Sequence, residues 1–67
     1  MPRNRMVLQI DDELVLAKHA LAFWREQKTL LADTHLREHA ATMVRLREAE
    51  IQHMIAVRES LQAAAQD

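Results

Sequence analysis

Leu36-Arg-Glu-His-Ala-Ala-Thr-Met-Val-Arg-Leu-Arg-Glu-Ala-Glu-Ile-Gln-His-Met-Ile-Ala-Val-Arg-Glu-Ser-Leu61 is the stretch that sets the fold class. Its apolar members Leu36, Ala40, Met43, Val44, Ile51, Met54, Ile55 and Leu61 share one broad face when successive residues turn by about 100°. Neither glycine nor proline interrupts them. This is the pattern of a long amphipathic helix, expected over residues 34–63, with residues 64–67 as a frayed tail. Arg47, Glu50 and Arg58 fall inside the apolar face, where long side chains snorkel or form ion pairs at the seam of a dimer.

Upstream of this helix two places compete for a break. Glu26-Gln27-Lys28 is one, with Thr29 capping a second helix; Ala32-Asp33-Thr34 is the other, with Asp33 or Thr34 as the cap. The second carries the stronger cap and is preferred, although an unbroken helix through both also satisfies the pattern. Further back, Asp11 or Asp12 makes a good N-cap and Glu13 adds negative charge to the first turn, so a first helix is expected over residues 11–32. Ile10, Leu14, Ala17, Leu21, Trp24 and Leu31 form one stripe along it, interrupted by Lys28, while Leu16, Phe23 and Leu30 lie on a second face. A helix that is apolar on two sides is sandwiched between neighbours.

Residues 1–10 hold Arg3 and Arg5 and no acid. Within them Met6, Leu8 and Ile10 alternate with Arg5, Val7 and Gln9, which suits a short strand, while a featureless basic arm or a helix entry fits so short a run equally. The expectation is therefore a single mainly α domain over residues 1–67, a two-helix hairpin-like chain with a short strand or arm at its start. With 67 residues and no cysteine, a lone core is marginal and no disulfide supports it. Dimerisation into a helical bundle, or a higher homo-oligomer, is the expected remedy. The absence of cysteine and of any apolar run near 20 residues leads to the expectation of a cytoplasmic protein with no membrane partner. Nine Lys and Arg against ten Asp and Glu, a net charge of −1, argue against a generally basic nucleic-acid binder but leave a local basic arm free to meet phosphate.

The run Arg5-Met-Val-Leu-Gln-Ile-Asp-Asp-Glu-Leu14, followed by Ala17, Leu21 and Ala22, resembles the opening of ribbon-helix-helix proteins, including antitoxins of the VapB type. A weaker likeness runs through Lys28-Thr29-Leu30-Leu31-Ala32 and Leu36-Arg37-Glu38-His39. The interhelix glycine of that group is absent, and Asp33 stands where it carries an apolar residue. The resemblance implies a homodimeric transcriptional regulator whose paired strands enter the major groove of duplex DNA. Arg3 and Arg5 would attract phosphate, Arg5, Val7 and Gln9 would face the groove, and Met6, Leu8, Ile10, Leu14, Leu21 and Trp24 would close the dimer. Residues 40–61 would then serve to wrap a protein partner such as a toxin.

Two other readings come from the residues alone. A helical hairpin can pair with its copy as a four-helix bundle, an architecture similar to that of Rop-type plasmid regulators, and bind a protein or RNA partner. Glu50 and His53, three apart on one helix, can join Glu13 from the antiparallel helix as in a ferritin-like half-bundle, making these three the candidate metal ligands. His35 and His39, four apart, lack a third ligand, and His19 stands alone. No nucleophile–base pair, phosphate loop or cofactor fingerprint is found, so neither enzymatic activity nor a cofactor is expected.

Overall fold

The computed structural model describes residues 5–65, which form two α-helices, α1 (Arg5–Leu30) and α2 (Thr34–Ala65). They pack antiparallel along their length as a hairpin of 51 × 15 × 11 Å, two helices wide and one helix thick. No described helix is long and apolar enough to cross a membrane.

The reversal occupies residues 31–33. The Leu31 amide still donates to the Gln27 carbonyl, 3.0 Å, and Thr29 Oγ1 donates to the Glu26 carbonyl, 2.8 Å, which closes the last turn of α1. Asp33 then caps α2: its Oδ1 accepts the Leu36 N–H at 3.0 Å, and its carbonyl accepts the Arg37 N–H at 2.9 Å. The cap satisfies a donor that the first helical turn otherwise leaves open. No described residue has positive φ, so the connection requires no glycine. Asp33→Ala should cost about 1 kcal/mol, or roughly 4–8 °C of thermal midpoint for a chain of this size. Melting at fixed chain concentration measures it, and an unchanged midpoint would mean that the cap contributes nothing.

The seam between the helices is built from two rows of residues spaced alternately by three and four. Val7, Leu14, Ala17 and Leu21 are buried from α1, and Ala40, Val44, Ile51 and Met54 from α2, with Ile10, Trp24 and Ile55 packed partly against them. The spacing is that of antiparallel helices meeting along a 3.5-residue repeat.

The start of α1 is helical, the helix-entry alternative, in place of the preferred strand or arm. Residues 5–10 are helical and continuous with the rest of α1, so Asp11 and Asp12 lie within the helix and cap nothing. Helical periodicity puts Val7, expected to face a DNA groove, in line with Leu14. Val7 is 6% exposed, whereas Met6 and Leu8, expected in a dimer core, are 57% and 42% exposed. The cause is tertiary. Arg, Met, Leu and Gln are good helix formers, and extending the helix lets Val7 join the seam and Asp11 Oδ1 accept a hydrogen bond from Arg58 Nη1 at 2.9 Å. At the other end α2 runs on to Ala65, beyond the bound of residue 63.

Candidate interaction surface

Seven-residue spacing along both helices sorts the remaining side chains onto two flanks of the hairpin. On one flank the ion pairs Arg25–Glu48, 3.2 Å, and Asp11–Arg58 tie α1 to α2. A shallow groove on this side is lined by Leu21, Arg25, Arg45, Glu48 and Gln52 among others. The Arg25–Glu48 pair is largely exposed, and in water such pairs add about 0–1 kcal/mol.

The other flank is apolar. A groove there is lined by Glu13, Leu16, Ala17 and Ala20 of α1 and by Arg47 and Glu50 of α2. Residues seven apart from Leu16 are Phe23 and Leu30, and seven apart from Glu50 are Met43 and Leu36, with Leu46 beside them. Leu16, Phe23, Leu30, Leu36 and Leu46 are each more than half exposed. Antiparallel pairing sets Leu30 level with Leu36, and Phe23 level with Met43 and Leu46. Trp24 forms the floor between them. Its ring meets Phe23 edge-on at 5.1 Å and His39 edge-on at 5.5 Å, both favourable T-shaped arrangements. The second apolar face expected for Leu16, Phe23 and Leu30 is thus present, and α2 leaves it uncovered.

Several expected roles change. Leu14 and Leu21 are buried, and Ile10 and Trp24 partly buried, against α2 of the same chain, so these four supply the hairpin seam. The broad face read on α2 divides: Ala40, Val44, Ile51 and Met54 look toward α1, while Leu36 sits on the apolar flank, where Leu46, not singled out by periodicity, joins it. Arg47 and Arg58 do enter the seam row, but their partners, Glu50 and Asp11, belong to the same chain. The Nε of each is shielded from solvent with no protein acceptor, a cost to the seam.

Arg5 and Gln9 are exposed on the first turns of α1, and Arg3 lies outside the described residues. Of the metal candidates, Glu13 and Glu50 line one groove, but Arg47 donates to Glu50 and His53 is not part of that lining. No three His, Cys, Asp or Glu side chains among the described residues come together as a metal would require. His19 and His35 are exposed, and His39 is the histidine in ring contact with Trp24. In comparisons with known proteins, the chain matches no family model, no curated protein and no solved structure.

Proposed function

We propose that the chain is a helical-hairpin interaction module: half of a four-helix bundle, completed by helices supplied in trans, that acts through what it brings together. One observation carries this reading. Among the described residues no large side chain is fully buried, while five large hydrophobic residues stand more than half exposed along a single flank. A layer one helix thick cannot enclose a side chain on every side, and four helices are the usual arrangement that does. Exposed apolar surface on this scale marks a contact surface. The two unmet arginine donors in the seam weaken the isolated hairpin further.

The antitoxin-like reading needs residues 5–10 extended and paired with their symmetry mates. In the hairpin those residues are helical and Val7 occupies the seam, so DNA binding would require the first turns of α1 to unwind. The module is favoured on that ground. Salt-dependent binding to duplex DNA, abolished by Arg5→Ala and Gln9→Ala, would reverse the preference.

The direct test couples mass to stability in the same samples. A chain that sediments as a monomer should exchange its helix amides within minutes and unfold over a broad range of urea, whereas slow exchange should accompany association. A strict monomer that unfolds cooperatively and protects its amides would defeat the module reading.

A further inference from the structure

We propose that the helices completing the bundle come from a second copy of this chain, packed two-fold symmetrically through the flank of Leu16, Phe23, Leu30, Leu36 and Leu46. This rests on the module reading and specifies its partner. It also moves the self-contact away from Leu14 and Leu21, which the hairpin itself consumes, while Trp24, only partly buried in the seam, stays at the edge of the proposed contact.

Three quantities favour a copy as the occupant. The first is area. A compact monomer of 7.8 kDa has an accessible surface of about 4,400 Å². This chain exposes 5351 Å², so the excess is about 1,000 Å². A standard specific interface buries about 800 Å² per partner. One symmetrical contact of that size therefore fits within the surplus each chain carries. The second is shape. The radius of gyration is 15.5 Å, whereas a compact chain of this length has about 11 Å. Laying two such flat hairpins face to face doubles the short dimension and encloses Phe23 and the Trp24 floor.

The third is charge. Copies carrying −1 each experience almost no long-range repulsion. The cross-helix ion pairs Arg25–Glu48 and Asp11–Arg58 lie on the opposite flank, away from the proposed contact. At the groove end of the apolar flank Arg47 pairs with Glu50, so two copies do not confront each other with a row of like charges. An RNA would find no basic surface here, since the apolar row presents leucine and phenylalanine.

The contact is isologous, so a polar residue placed in it is met twice per dimer. The experiment uses the full chain. Sedimentation from about 1 to 200 µM reads the mass, and hydroxyl-radical footprinting reads the covered residues. The expected result is a dimer in which Phe23, Leu30 and Leu46 gain protection as concentration rises while Leu8 and Val15, exposed elsewhere on α1, do not. Phe23→Glu should weaken association at least about 100-fold, as loss of a central aromatic contact at an interface does. The footprint needs no variant, so the face stays testable even if Phe23→Glu cannot fold. A chain that remains monomeric at 200 µM overturns the self-partner. If that monomer is also labile, the module reading survives with a different occupant; if it is stable, both fall. A dimer that protects Leu8 and Val15 in place of Phe23 and Leu30 overturns the chosen flank.

Discussion

Leu14→Ala should lower the stability of the protein by about 2–5 kcal/mol, among the largest effects expected of a single truncation in the seam. Leu14 is 3% exposed and packs in the cluster that joins the helices, with Ala17, Leu21, Val44, Ile51 and Met54. Removing its isobutyl group forfeits the transfer of that group from water and leaves a void that two stiff helices fill only in part. For small domains the total margin is about 5–15 kcal/mol, and a 67-residue chain with one seam belongs near the lower end. The thermal midpoint should fall by at least about 8 °C. Melts must be compared at one chain concentration, because association makes the midpoint depend on it. The neighbour supplies the contrast: Val15 is largely exposed, and Val15→Ala should stay within about 0.5 kcal/mol. Equal effects at the two positions would show that α1 does not present Leu14 to α2.

Asp12→Pro should cost about 3 kcal/mol, chiefly by breaking α1. The position separates two accounts of the N-terminal segment. Were residues 1–10 an arm and Asp11 the cap of a helix, residue 12 would occupy the first helical position, where proline is well tolerated. In the hairpin it lies well inside α1, with Arg5–Asp11 already helical before it. Proline there removes an amide donor and drives its ring against the carbonyl four residues back. The asparagine variant, Asp12→Asn, is the control, because the Asp12 side chain is exposed and makes no seam contact. Circular dichroism should show a loss of helix that extends to the first turns of α1 and carries Val7 out of the seam. A proline variant that melts like Asp12→Asn would restore the arm.

Much of this architecture is legible in the residue order because helix formation is mainly local. The long period through Leu36–Leu61, the absence of glycine, and the capping carboxylate of Asp33 are properties of neighbouring residues, and they recur in α2 and in the turn. The second apolar face of α1 is equally visible, since Leu16, Phe23 and Leu30 are seven apart. Residues 5–10 are different. Their apolar and polar members satisfy alternation and helical spacing alike, and so short a run does not separate a period of 2 from one of 3.6. What separates them is the tertiary setting: Val7 is buried in line with Leu14, and Arg58 reaches Asp11 across 47 positions.

The order of residues by itself therefore determined that the chain is mainly helical, offered Asp33 as one of two places for a reversal, and set which side chains share a face of each long helix. Only tertiary structure decided which face each helix turns to its own neighbour and which it leaves bare. Periodicity fixes directions around a helix axis, but the occupant of each direction depends on how far the helices run and at what level they meet. That is why Leu14, Leu21 and Trp24 belong to the hairpin, and the flank from Leu16 to Leu46 is left for another molecule.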